Sequence, residues 1–277
     1  MSDSTTQWID PYAGFQYTED IITVTAAHQR DKLSVCGIQP DVFGQHVDPA
    51  FFIGIAIHAG IKSGITAEGN VNMLQTVIQH RPALLDEPLT VRGEIVAVNP
   101  VPRGRTLHTS VDFLDAHGEP VITANRVSLK PEAAKPEAAA SAKGGAGERP
   151  PPVIEDVAGL TLADSYALTP ERVKAYSSEG NSIHYEQAAA ERAGFRAPLI
   201  GGGMGVHYLT AYLWRLQIPA RFSMDIYFRR PIFWDERIQV GVAGGAEMTA
   251  TKVSYPRALA LLKPEGKIGT ELALQIL

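Results

Sequence analysis

The chain has 277 residues, 45% of them hydrophobic and 20% charged, which is ordinary for a globular protein and enough for one large or two small domains. A net charge of -5 argues against nucleic acid as the main partner. The one cysteine, Cys36, excludes an intramolecular disulfide, fits a reducing compartment and reads as a buried thiol rather than a nucleophile. The N-terminus, MSDSTTQWIDPYAG, has no basic region followed by an apolar core, so no secretory signal is expected. The most apolar run, Ala50 to Ile61, is too short to span a bilayer and reads as a buried helix carrying His58. These features predict a cytoplasmic protein without a membrane partner.

In chain order, each half predicts a short capped helix, a loop, a longer apolar helix and then strands. After the Ala50–Ile61 helix, EPLTVRGEIVAVNP and RTLHTSVDFLDAHGEPVITANRVSLK supply three strands, the last two joined at Asp115-Ala116-His117-Gly118. Between Lys130 and Val153 the pattern dissolves into Ala, Pro, Gly and a few charges, a composition that cannot bury a core. Beyond it, Thr169-Pro170-Glu171 opens a helix with a capping Thr and Pro at the first position. Gly203 to Leu216 follows as a second long helix, with Val206, Leu209, Leu213 and Leu216 at helical spacing. MDIYFRRPIFWDERIQVGVAGG and GTELALQIL then read as strands. Three units result: residues 1–130, a linker over 131–153, and residues 154–277.

The two halves repeat each other. Arg81-Pro82 and Asp86-Glu87 recur as Arg230-Pro231 and Asp235-Glu236, an offset of 149 (231 less 82), and the same offset carries Gly54 onto Gly203 and His58 onto His207. Spacing shared in this way predicts duplication of one fold unit. A long helix followed by antiparallel strands, occurring twice, predicts an α+β chain of two sheets, each wrapped around a central helix and packed as an internal pseudo-dimer.

Chemistry concentrates between Tyr176 and Met204. Glu179 and His184 flank GNSI, a turn-prone stretch from which both side chains can converge on one water. Asn181 between them orients the loop or the water. The glycines 201 to 203 open an apolar helix whose unpaired N–H groups can hold an oxyanion, with Gly202 as the donor.

This segment resembles the MaoC-like, or (R)-specific, enoyl-CoA hydratases and dehydratases of the hotdog fold. Their pattern, roughly S-G-D-x-N-P-[LIV]-H and later F, P and H-G-[ML], appears here as Ser177, Ser178, Glu179, Gly180, Asn181, Ser182, Ile183, His184, then Phe195, Pro198, Gly201 and Gly202 without a gap. Glu179 stands for Asp, Ser182 for Pro and Gly201 for His. The resemblance implies a double hotdog with its catalytic residues, Glu179 and His184, in the C-terminal half and a degenerate N-terminal half that accommodates the acyl chain. It also implies reversible hydration of a 2-enoyl thioester carried on coenzyme A or a carrier protein, no further cofactor, and a plan compatible with a homodimer of double hotdogs. The offset of 149 takes Glu179 and His184 to Arg30 and Val35, which offer no equivalent pair.

Weaker candidates for substrate contact are Gly54, His58, Gly203 and His207 on the two long helices, and Arg196 and Arg230 for the phosphates of the carrier. No metal site is expected, because His, Cys and carboxylates do not occur at ligand spacing. GGGMG lacks the Lys-Ser/Thr ending of a phosphate loop. A hotdog thioester hydrolase and a non-catalytic acyl-CoA binder are the alternative readings.

Overall fold

The computed structural model describes residues 8–132, 150–178, 180–244, 247–248 and 253–277. Glu179 and most of the expected linker, residues 133–149, therefore lie outside the described residues. In the first half, β1 (Asp20–Thr23), α1 (Ala26–Cys36), a 3-10 turn (Pro40–Phe43) and α2 (Phe51–Lys62) precede four long strands. These are β2 (Val71–Gln79), β3 (Pro88–Val101), β4 (Gly104–Leu114) and β5 (Pro120–Pro131). The second half runs β6 (Thr161–Ala167), α3 (Pro170–Ser177), a 3-10 turn (Ser182–His184), α4 (Gln187–Arg192) and α5 (Gly202–Arg215). It ends with β7 (Phe222–Phe228), β8 (Arg237–Ala243), the small pair β9 (Glu247–Met248) and β10 (Val253–Ser254), β11 (Ala258–Leu262) and β12 (Ile268–Ile276).

Local chemistry sets the helix ends. Thr25 and Thr169 each accept the N–H three residues on, at His28 and Arg172, so α1 and α3 start alike. They end differently: Gly37 adopts φ 73° and closes α1 with bonds back to Leu33 and Ser34, whereas α3 stops at Ser177 and gives way to the GNSI turn. In α2, Phe52 and Ile53 are fully buried, each stabilising the fold by about 1.5–3 kcal/mol. The helix is not enveloped as its apolar sequence predicts, because Gly54 and His58 are exposed on one face. Cys36 is buried, and burial pushes its thiol up to about 12, the behaviour of a packing residue.

The ten long strands form one antiparallel sheet in the order β1-β3-β4-β5-β2-β7-β12-β11-β8-β6. Helix α2 packs on β2, β3 and β5, and α5 on β11 and β12, so each half is a sheet around its own helix, and the two make a double hotdog. One hydrophobic core runs through both, from Phe52 and Phe113 to Met204, Leu209 and Leu272. Strand β2, whose sequence VNMLQTVIQ carries two glutamines and an asparagine, was not among the predicted strands, yet it joins the halves by pairing with β7. Thr76 faces Asp225, and its hydroxyl donates to that carboxylate at 2.6 Å. Since 225 less 76 is 149, these are equivalent positions of the repeat, and the pseudo-twofold axis passes between them.

The hydrogen bonds also show where the offset changes. Val47 N–H donates to Ala83 C=O as Ile200 N–H donates to Ile232 C=O, and Leu85 N–H to Gln45 C=O as Trp234 N–H to Pro198 C=O. The strand-side partners differ by 149, whereas the partners leading into the central helices differ by 153 (200 less 47). Both helices end on this count too, Lys62 against Arg215. The expected matches of Gly54 with Gly203 and His58 with His207 are therefore off by four residues. Gly54 corresponds to His207, and Asp48-Pro49-Ala50 to Gly201-Gly202-Gly203. For the first helices, Thr25 and Thr169 differ by 144, as do Ile22 and Tyr166, which face the equivalent residues Leu89 and Ile238. On that count residues 179 and 184 correspond to Val35 and Pro40, so the N-terminal half still lacks a carboxylate and an imidazole at these places.

Candidate active site

His184 closes the 3-10 turn that follows α3. Asn181 caps this turn by accepting the N–H of Ile183 at 3.1 Å, and its own carbonyl accepts the N–H of His184 at 3.0 Å, so Asn181 shapes the loop. The half-buried imidazole places Nδ1 2.8 Å from the carbonyl oxygen of Leu199. A carbonyl only accepts, so Nδ1 carries the hydrogen, and in the neutral ring Nε2 keeps its lone pair. Burial pushes the imidazole below its ordinary range, against the smaller opposing effect of the Leu199 bond. Nε2 points toward the start of α5, 3.9 Å from where a Cβ on Gly201 would stand.

Gly201 is the cap residue of α5, in extended conformation, and among the described residues no side chain bonds into the first turn. The first intrahelical donor is Gly205, whose N–H reaches the Gly201 carbonyl at 3.3 Å. The N–H groups of Gly202 and Gly203, both half-exposed, thus lie at the positive end of a helix dipole with no acceptor from earlier in the helix. Gly202 is required by space: a Cβ there would stand 2.8 Å from the ring edge of Phe228 on β7. An imidazole lone pair beside such a helix start can handle a proton while N–H groups receive developing negative charge.

The other sequence candidates divide into three groups. Gly54 is exposed, with nothing within 4 Å of where a Cβ on it would stand, and His58 lies one turn on. His58 joins Ile22, Thr23, Val24, His28, Phe51 and Ile55 in lining a cleft of about 460 Å³, together with Ile61 and Lys62. The corresponding place in the C-terminal half is filled, because Tyr166 and Tyr208 stand where Ile22 and Ile55 do and their tilted rings pack with centres 4.4 Å apart. Arg196 is committed to the surface: it forms a bidentate pair with Asp235 at 2.8 Å, bonds Glu236 and lies over the Phe233 ring. Arg230 is exposed and donates to the Ile268 carbonyl at 3.0 Å. Neither arginine contacts His184 or the α5 glycines by any of these bonds.

His207 is fully buried and does not line the cleft, from which the Phe51 ring separates it. Its Nδ1 lies 2.6 Å from Asp48 Oδ2, and its Nε2 lies 2.8 Å from the hydroxyl of Tyr176. Sequence reasoning singled out neither Asp48 nor Tyr176. Tyr176 adjoins the SSEGNSIH segment, but nothing in the spacing of these residues signals that elements from both halves meet there.

No family model matches the chain, and no curated protein matches its sequence. Solved structures do resemble it. HtdX of Mycobacterium tuberculosis superposes with a TM-score of 0.71 at 17% identity, over 95% of this chain and 99% of that one. A MaoC-like dehydratase from Phytophthora capsici gives 0.66 at 17%, over 93% and 95%. A provisionally assigned oleoyl thioesterase from Lactobacillus plantarum gives 0.55 at 14%, over 95% and 97%. Identities this low establish architecture alone: the chain has the double hotdog fold that MaoC-like dehydratases also have.

Proposed function

We propose that this protein catalyses the reversible addition of water across the double bond of a 2-enoyl thioester, giving the 3-hydroxyacyl thioester. The observation that carries this reading is the pairing of His184, with Nδ1 held by Leu199 and Nε2 turned to Gly201, with the uncapped glycine start of α5. Hydration needs two things at once, a base for water and a stabiliser for the enolate that forms when the water oxygen bonds to C3. His184 Nε2 and the Glu179 carboxylate share the proton work: one takes a proton from water and the pair returns a proton to C2. Glu179 enters through the sequence resemblance. The thioester oxygen, carrying the negative charge between those steps, accepts the Gly202 N–H. No electrons are exchanged with any other group, and the reverse sequence dehydrates the 3-hydroxyacyl thioester.

The acyl chain is assigned to the cleft along α2. Its volume of about 460 Å³ falls within the range of small-molecule pockets. Ile22, Val24, Phe51 and Ile55 give it an apolar surface, and Ala50, next to Phe51, carries the carbonyl 3.8 Å from the Cβ position of Gly203. The carrier is coenzyme A or the phosphopantetheine of a carrier protein.

A panel of 2-enoyl-CoA and 3-hydroxyacyl-CoA esters of increasing length, followed at the absorbance of the conjugated thioester with a parallel assay for free thiol, tests the reading. Loss or gain of the conjugated absorbance without thiol release is expected. Thiol release would identify a thioesterase instead, and saturable binding without either change would identify an acyl-thioester binder.

A further inference from the structure

Three side chains from different parts of the chain, Asp48 and His207 fully buried and Tyr176 partly buried, meet behind the start of α5. Asp48, just before α2 in the N-terminal half, is fully buried, and so is His207 on α5. Asp48 is satisfied on two sides: Oδ1 accepts the N–H of Ala50 at 2.9 Å in the turn that leads into α2, while Oδ2 faces His207 Nδ1 at 2.6 Å. Gln29 accepts the Asp48 N–H at 2.8 Å and donates to the His46 carbonyl, which holds the backbone of this turn. A carboxylate only accepts, so His207 Nδ1 carries a hydrogen. In the neutral ring, Nε2 is then an acceptor and the Tyr176 hydroxyl donates to it at 2.8 Å. Phe51 covers the imidazole at 4.6 Å between ring centres and keeps water out.

Tyr176 faces both sides of the candidate site. Its hydroxyl lies 3.4 Å from where a Cβ on Gly203 would stand, next to the proposed oxyanion donor. Its backbone belongs to the last turn of α3, which leads into the segment holding Asn181 and His184, and its carbonyl accepts Lys32 Nζ from α1 at 2.8 Å. The counterpart of His207 in the other half is Gly54, so no equivalent chain exists there.

We propose that Tyr176, oriented through His207 by Asp48, is a positioning residue that fixes the proton-handling segment relative to the α5 helix start. The N-terminal half thereby contributes to turnover through a residue that touches neither substrate nor reacting atoms. This inference rests on the hydratase reading for its kinetic part only.

Tyr176→Phe retains the ring and removes the hydroxyl. In hydration of a short-chain 2-enoyl-CoA it is expected to lower kcat about tenfold with KM within twofold of the parent. Asp48→Asn retains an acceptor for Ala50 but turns N–H groups toward His207, so that Nε2 becomes a donor and the Tyr176 bond reverses. It is expected to cause a similar fall, and the double variant no further loss, because both substitutions break one chain. Amide hydrogen exchange gives a reading independent of substrate: Ile183, His184 and Gly205 should exchange about tenfold faster in Tyr176→Phe, while the amides of β4 keep the parent rate. Unchanged kcat, a rise in KM alone, additive losses, or exchange accelerated equally in β4 would each overturn the proposal. If the parent protein shows no turnover, the hydratase reading falls and the exchange comparison decides the positioning claim. If Tyr176→Phe does not fold, the same measurements on Asp48→Asn decide it.

Discussion

The two central helices begin on the same backbone scaffold and with opposite chemistry. Val47 and Ile200 make equivalent bonds to the sheet, and the next three residues are Asp48-Pro49-Ala50 in one half and Gly201-Gly202-Gly203 in the other. In the first, Pro49 has no N–H, and the Asp48 carboxylate occupies the Ala50 N–H, so the helix start is closed to a ligand. In the second, the glycines bring no side chain between the helix start and His184 and leave the donors available. The comparison teaches that, on the proposed hydratase reading, one half of a repeat is silenced at its helix terminus as well as by having no acid and base pair. The complementary exchange occurs on the flank, where Ile22 and Ile55 leave a cleft that Tyr166 and Tyr208 fill in the other half.

Removing the proton-handling groups should have the largest effect. His184→Ala and Glu179→Gln are each expected to lower enoyl-CoA turnover by at least about a hundredfold, the usual scale for a general acid or base, with thermal unfolding unchanged. Near-parent rates in both would end the distinction between a working and a silent half. Transplanting the silent helix start is the next test. Gly202→Pro reproduces Pro49 and should raise the barrier by about 2.7–4 kcal/mol, as for loss of one oxyanion donor. Its control needs care, because even Gly202→Ala brings a Cβ within 2.8 Å of the Phe228 ring. Adding Phe228→Leu should therefore recover activity in the alanine variant and not in the proline variant.

A smaller effect is expected from pH. Burial lowers the His184 pKa below its ordinary 6.5, so its neutral form persists into mildly acidic solution and turnover should fall only below that value. The sign for stability follows from proton binding. Between the lowered folded value and 6.5 the unfolded chain binds the proton more readily, so this histidine's contribution is complete above 6.5 and is lost as pH falls. An acid limb that begins well above 6.5 would show that another group controls the rate. The smallest effect concerns the cleft. Gly54→Leu projects into open space and removes a glycine from the interior of α2, so stability should rise by about 0.5–1 kcal/mol while KM rises selectively for longer acyl chains. Equal losses with short and long esters would remove the cleft from the acyl-binding role.

Much of this was readable from residue patterns. The Thr169 cap, the two long helices, the strands around Asp115–Gly118 and the His184 turn all follow from local chemistry: capping side chains, helical spacing and turn residues act over a few positions. The repeat was readable only in part. A constant offset of 149 holds where strands pair across the pseudo-twofold, because sheet register tolerates no slip without reversing every side chain. It fails at the central helices, since loops of different length sit between them and the strands and shift the count to 153. The likeness of Gly54 to Gly203 and of His58 to His207 was thus a coincidence of letters. Strand β2 is not legible in the sequence because Gln75 and Gln79, both fully buried, break the apolar signal that marks a central strand.

What the sequence determined alone is therefore local: which segments cap, coil or extend, and where glycine removes side chains from a helix start. Which residues share one space was decided by tertiary structure. His184 reads as a loop histidine until the Leu199 carbonyl fixes its tautomer, and His207 reads as a helix histidine until Asp48, 159 residues earlier, meets it in the core. The physical reason is that a hydrogen bond depends on distance and direction in space, which pairing of β2 with β7 establishes between halves whose sequences carry no record of that approach.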